Sequence, residues 1–159
     1  MAGTPTTATG AREVPESPED VWRALAVLEP YCSVCDVSYV VDAADGGPGL
    51  GTTFVCAPGR PTGPPAAGAP QGEIVAWEPP RLVATRLRLT PETWTTRIEL
   101  APTADGGTRV TMTITHEPST GGRVVRRLQR GALRRLVQRT VDAELDKVPA
   151  HVQRVAGPT

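Results

Sequence analysis

The side chains best suited to chemistry in this chain of 159 residues are two imidazoles, three thiols and a block of arginines. His116 ends a run, Thr108 to His116, in which Val110, Met112 and Ile114 alternate with Thr111, Thr113 and Thr115. Such alternation marks a strand with one buried face, and His116 is in phase with the apolar side. An imidazole there could serve as general acid or base near neutral pH. The competing reading is a satisfied or half-exposed histidine at a strand end. The second imidazole, His151, is expected on the surface of a terminal helix. Cys32 and Cys35 form a Cys-x-x-Cys, and Cys56 is the third thiol. With His116 they could supply the four ligands of a structural zinc site. The plainer reading is small buried or half-exposed residues, so no metal and no cofactor is assigned. Asp36 and Glu117 stand at segment ends, and no paired acid/base arrangement is legible. There is no Gly-x-Ser-x-Gly, no phosphate loop and no His-Glu-x-x-His.

Arg123, Arg126, Arg127, Arg130, Arg134, Arg135 and Arg139 crowd the start of the terminal helical region. Cations near a helix N-terminus oppose the macrodipole at about 0.3–1 kcal/mol each, so helix stability does not explain them. An anionic partner would, and Arg126, Arg127, Arg130 and Arg134 are its candidate contacts. The bland alternative is a solvated face in an arginine-biased chain, since Lys147 is the sole lysine. Nucleic acid is the least suited partner, because no stacking aromatics interleave with the arginines. A formal net charge of zero also argues against a generally basic binder.

Elements that position these groups can be read from pattern. Residues 1–10 read as a loose tail or a frayed first strand, and 11–155 as a single domain. Ser17 is an N-cap, Pro18 suits the first helical position, and Glu19 and Asp20 favour the positive end. A first helix is predicted over 18–29, stopped by Pro30. Strands are predicted at 39–43, 52–56, 72–77, 81–89, 93–100 and 108–116. Turn signals stand at Asp45-Gly46-Gly47, Thr90-Pro91-Glu92 and Asp105-Gly106-Gly107. Residues 57–72 form a Pro/Gly-rich loop. The rest, 122–154, is helical with two apolar stripes, one through Val125, Leu128, Ala132 and Leu136, the other through Leu133, Val137, Val141, Leu145, Val148 and Val152. One straight helix cannot bury both against one surface, so a break or kink is predicted near Gly131, with the longer piece over about 132–154. Strand phase places Tyr39, Val41, Phe54, Val83, Thr85, Leu87, Leu89, Trp94, Thr96 and Ile98 inward with Met112 and Ile114.

With 39% apolar and 21% charged residues the composition is ordinary for one globular domain. Aromatics at 4% leave the core to Val, Leu, Ile and Ala. No signal peptide opens the chain and no apolar run reaches the roughly 18 residues that a membrane span needs. A cytoplasmic location with reduced thiols is the expectation.

Three segments in this order resemble the START-like (SRPBCC) superfamily, of polyketide cyclase/dehydratase type. They are Ser17-Pro18-Glu19-Asp20-Val21-Trp22, then Gly72-Glu73-Ile74-Val75-Ala76-Trp77-Glu78-Pro79-Pro80-Arg81-Leu82, then Gly107-Thr108-Arg109-Val110-Thr111-Met112-Thr113. The resemblance implies an α+β helix-grip fold, a curved antiparallel sheet wrapped around a long C-terminal helix with an internal cavity. It implies a cavity for an apolar small molecule such as a polyketide. Ligand contacts would come from Tyr31, Tyr39, Phe54, Thr85, Trp94, Thr96, Met112, Ile114, Val137 and Val141. In a cyclase, His116 would enolise a carbonyl or help expel water, and the arginines would dock an acidic acyl carrier protein. The alternative is sequestration without turnover, as in self-resistance proteins that hold enediyne natural products. A third possibility is a partner-binding protein that uses the basic helix and has little cavity.

Overall fold

The computed structural model describes residues 3–42, 47–89, 92–118 and 123–157, with backbone alone for 123–128. Ten elements follow in order: β1 (Thr6–Val14), α1 (Pro18–Leu25), β2 (Tyr31–Cys32), β3 (Val37–Asp42), β4 (Thr53–Pro58), β5 (Gln71–Glu78), β6 (Leu82–Leu89), β7 (Glu92–Pro102), β8 (Thr108–Glu117) and α2 (Arg123–Ala156). The eight strands form one antiparallel sheet in the order β1-β8-β7-β6-β5-β4-β3-β2. Every neighbour but β1 is also next in sequence, and β1 closes against β8 from the far end of the chain. Curved around α2, the sheet has the helix-grip architecture. A bulge between Ile74 and Ala76 interrupts the β5–β6 register and lets the sheet bend there.

The first strand is longer and better paired than its composition suggests. Thr6 pairs with His116 and the ladder continues to Val14 opposite Thr108, so the strand starts well inside the expected tail. Residues 1 and 2 of that tail lie outside the described residues. Threonine suits a strand through its branched Cβ, and Thr7 and Thr9 hydrogen-bond Thr115 and Thr113 across the pair at 3.0 and 3.1 Å. Toward α2 the strand presents Ala8 and Gly10. A Cβ on Gly10 would lie 2.8 Å from Leu145 Cδ1 and 3.0 Å from Val141 Cγ1. Small residues are what allow the helix to sit this close, and they remove the apolar alternation that would have announced the strand.

Helix α1 begins as its sequence dictates. The Asp20 N–H donates to Ser17 Oγ at 3.3 Å, and Ser17 Oγ in turn donates to the Asp20 carboxylate at 2.9 Å. These bonds, with the Arg23 guanidinium, hold the Asp20 carboxyl below its usual range. The helix stops at Leu25, four residues short of the predicted end. The departing segment from Ala26 to Glu29 continues the cavity wall that Ala24 and Leu25 begin. Ser17→Ala should destabilise the fold by about 0.5–2 kcal/mol. Urea unfolding of wild type against the variant checks this, and unchanged stability would show that the cap contributes nothing.

Helix α2 runs unbroken over 34 residues, through Gly131 and Pro149. The helix is not broken at Gly131, and it does not bury the described residues of the first stripe. Val137, Val141, Leu145, Val148 and Val152 are buried, while Leu136 is 53% exposed and Ala132 is exposed too. The side chains of Val125 and Leu128 lie outside the described residues. The buried stripe packs with Ala8, Val14, Val21, Ala24, Leu100, Val110, Met112 and Ile114 into the main core. A smaller cluster of Ala26, Ile74 and Val83 adjoins Trp22 and Trp77, whose rings meet edge to face at 5.0 Å. The turn signals at Asp45-Gly46 and Thr90-Pro91 lie outside the described residues. The Pro/Gly-rich loop is shortened to 59–70 by the ends of β4 and β5. No helix among the described residues is long and apolar enough to cross a membrane.

Candidate functional site

Sheet and helix do not meet along their whole length, and between them lies a cavity of about 500 Å³. That volume falls within the roughly 300–1,000 Å³ range of small-molecule sites. Its sheet wall is built by strand phase. Thr85 on β6, Thr96 on β7 and Ile114 on β8 are consecutive cross-strand neighbours. All three line the cavity, together with Val83, Leu87, Leu89, Trp94, Ile98 and Met112. Tyr39 and Phe54 extend the wall across β3 and β4, their rings edge to face at 5.9 Å. Phe54 lies where a Cβ on Gly72 would stand, within 2.1 Å of its Cζ. Glycine at that position is therefore what lets the ring lie flat over β5.

The opposite wall is polar. Thr140, Glu144, Val148 and His151 follow one another at spacings of three and four on α2 and all line the cavity. Arg154 continues the stripe and pairs with Glu29 from the segment after α1. Lys147 donates to Glu144 at 2.7 Å, and this bond raises its pKa. Cys32, Cys35 and Cys56 also face the cavity. Burial pushes the Cys35 thiol up to about 11, with Glu144 adding to the effect. Burial likewise raises Cys56 and Tyr39, and lowers His151 with help from Arg154. Burial thus disfavours the charged forms of Cys35, Cys56, Tyr39 and His151 on a wall that also carries the Arg154–Glu29 pair.

Of the residues singled out from sequence, Tyr39, Phe54, Thr85, Trp94, Thr96, Met112 and Ile114 are brought together on the cavity wall. Val137 and Val141 are not. Both are fully buried in the core, one helix face away from the Thr140–His151 stripe. Tyr31 is held outside the cavity: its hydroxyl donates to Asp36 at 2.8 Å and the Arg60 guanidinium lies 4.5 Å over its ring. His116 does not line the cavity either. It is buried beside the indole of its cross-strand neighbour Trp94, ring centres 4.6 Å apart, with Nε2 3.0 Å from a Glu92 carboxylate oxygen. Its Nδ1 has no hydrogen-bond partner among the described residues. His151, expected on the surface, is the imidazole that reaches the cavity. Its stripe was visible as helical spacing, but Glu, His and Arg at such spacing also describe a solvated face. Arg130 and Arg134 are exposed on α2, whereas the Arg126 and Arg127 side chains lie outside the described residues.

Comparison with solved structures supports the architecture. A Staphylococcus aureus protein of unknown function, SA2116, superposes with a TM-score of 0.72 at 12% identity, covering 96% of each chain. TTHA0849 from Thermus thermophilus gives 0.65 at 21% identity, over 95% of this chain and 99% of that one. A Thalictrum norcoclaurine synthase point mutant, solved with a transition-state analogue, gives 0.64 at 12% identity and covers 99% of both. At such identities the likeness is one of fold. A comparison with curated proteins finds no match. Residues 5–153 match the family described as polyketide cyclase / dehydrase and lipid transport. With that match over nearly its whole length, and a helix-grip cavity to accompany it, the chain belongs to this START-like (SRPBCC) family.

Proposed function

We propose that the protein binds an apolar small molecule of polyketide-like character in the cavity between its sheet and α2. The observation that carries this reading is a space of about 500 Å³ whose sheet wall is mainly aliphatic and aromatic with Tyr39, Thr85 and Thr96 set in it, facing Thr140, His151 and ion-paired groups on the helix side. Apolar walls supply affinity through desolvation, and the few polar groups fix orientation. The family's description, which joins cyclisation with lipid transport, fits either a carrier or an enzyme built on one cavity.

A second reading is turnover, the cyclisation or aromatisation of a bound chain in natural-product biosynthesis. The polar stripe on α2 favours it, since the Thr140 hydroxyl and the His151 imidazole there could orient a carbonyl. Holding a reactive chain in a near-attack shape is itself a large catalytic contribution. Sequestration without turnover, as in self-resistance, uses the same walls and no chemistry. For a substrate delivered on a carrier, the exposed Arg130 and Arg134 offer an acidic acyl carrier protein a docking face.

Amide NMR during titration with polyketide-like aromatics tests the proposal. Shifts are expected at Thr85, Trp94, Met112 and Ile114, with product appearing only if the protein is an enzyme. An acidic carrier protein should instead move the amides of 130–139. A panel that leaves the four cavity amides unmoved would refute the cavity reading.

A further inference from the structure

Cys32, Cys35 and His151 converge on the cavity wall, and apolar binding gives them no task as a set. We infer that these three side chains form a zinc site whose fourth coordination position opens to the cavity.

The donor atoms all lie within 4.8 Å of one another. Cys35 Sγ is 3.5 Å from His151 Nε2, and Cys32 Sγ is 3.8 Å from His151 Nδ1. Zinc binds sulfur at about 2.3 Å and imidazole nitrogen at about 2.0 Å with tetrahedral angles, which separates sulfur from nitrogen by about 3.5 Å. The two sulfurs face different ring nitrogens, so loading turns the imidazole until one nitrogen addresses both thiols, within a cluster whose donors already lie no more than 4.8 Å apart.

The scaffold holds these groups firmly. Cys32 and Val37 pair across the β2–β3 hairpin, so the Cys-x-x-Cys occupies its turn. Asp36 closes that turn with φ of 52°, a left-handed conformation that bends the chain sharply after Cys35. Two bonds fix it there: Tyr31 Oη donates to its carboxylate at 2.8 Å, and the Gly59 N–H donates to its carbonyl at 2.7 Å. His151 comes from the last turns of α2, more than a hundred residues away in sequence. An ion here would tie the hairpin to the helix across the cavity.

The donor set selects the metal class. Two thiolates and an imidazole suit zinc and disfavour magnesium or calcium, which require oxygen. Among the described residues the cluster comprises three ligands. Three protein ligands with an open position is the arrangement of zinc sites that bind or activate a small molecule, whereas structural sites are closed by four. Loading balances simply. Two S–H bonds break, both protons pass to solvent, two Zn–S bonds form and a neutral imidazole donates its lone pair. The loaded site carries no net charge, which suits its half-buried position. Its open position would then accept an oxygen of whatever molecule fills the cavity, as a Lewis acid does.

Zinc chloride competed against a chelating indicator, with reduced full-length protein, tests the site. One equivalent should bind. Cys35→Ser and His151→Ala should each weaken binding by at least about tenfold to a hundredfold, the loss known even for outer partners of metal ligands. Cys56→Ser should bind as wild type does. Cobalt(II) added to the wild-type protein should give thiolate charge-transfer bands and the strong visible bands of four-coordination, a readout that needs no variant to fold. Less than stoichiometric zinc, a cobalt spectrum without thiolate bands, or full affinity in folded Cys35→Ser and His151→Ala would overturn the inference. Small-molecule shifts at Thr85 and Met112 in zinc-free protein report on the cavity separately, so either result can fail without the other.

Discussion

Gly10→Val should lower stability by about 1–3 kcal/mol, the range for forcing extra carbons into a packed core. Any side chain at this position begins with a Cβ 2.8 Å from Leu145 Cδ1 and 3.0 Å from Val141 Cγ1. Leu145 has a flexible end that can turn away, but Val141 is branched at Cβ and fully buried, so it cannot. The β propensity gained by valine is smaller than this overlap. Leu145→Ala alone should cost about 2–5 kcal/mol through lost burial and the void left behind. In the double variant the new valine occupies part of that void. The combined loss should fall short of the sum by about 0.5–3 kcal/mol, as for residues in contact. Urea unfolding of the four proteins measures the coupling. Additive losses would mean that β1 and α2 are not in close contact at Gly10.

The same contact explains what could be read in the sequence and what could not. Strands β6 to β8 were legible because each alternates against a wide apolar interior. Val83, Thr85 and Leu87, or Val110, Met112 and Ile114, announce their face by period alone. Strand β1 was not legible, since its inner positions Ala8 and Gly10 are small for the sake of a helix packed close above. Smallness reads as loop in a sequence and as close approach in a structure. Helix α2 raised the opposite difficulty. Its exposed Leu136 counted as a core residue, and a second buried face had to be invented to hold it. The end of α1 erred for a third reason: Pro30 marks only the latest point at which the helix can stop, and it ends at Leu25.

For the site, the sheet wall was legible and the helix wall was not. Strand phase assigns Thr85, Trp94, Thr96, Met112 and Ile114 to one side with no knowledge of what they face. Thr140, Glu144 and His151 could be assigned only with the position of the hairpin carrying Cys32 and Cys35, and no local pattern supplies that. His116 shows the limit of phase. It is buried as its period demands, yet it sits beside Trp94 at the end of β8, does not line the cavity, and turns its Nε2 to Glu92. Phase tells which side of a sheet a residue is on, not what lies in front of it.

Thr96→Trp should abolish small-molecule binding while leaving the fold intact. Thr96 sits at the middle of the row formed by Thr85, Thr96 and Ile114, so an indole there projects into the centre of the 500 Å³ cavity. The two fused rings enter open space instead of a packed core, and the overpacking that penalises Gly10→Val does not apply. Affinity for an apolar fluorescent probe should fall by at least about a hundredfold, or roughly 2.8 kcal/mol. Thr95→Trp is the control. It adds the same indole one residue away, where the side chain points to the opposite face of the sheet. Thr95 has Arg86 and Thr115 as cross-strand neighbours, neither of which lines the cavity. Probe titrations of the three proteins, with unfolding curves beside them, give the answer. Loss in Thr96→Trp alone locates the ligand between the sheet and α2. Undiminished affinity in Thr96→Trp would move the binding surface out of the cavity and leave the apolar wall a matter of folding alone.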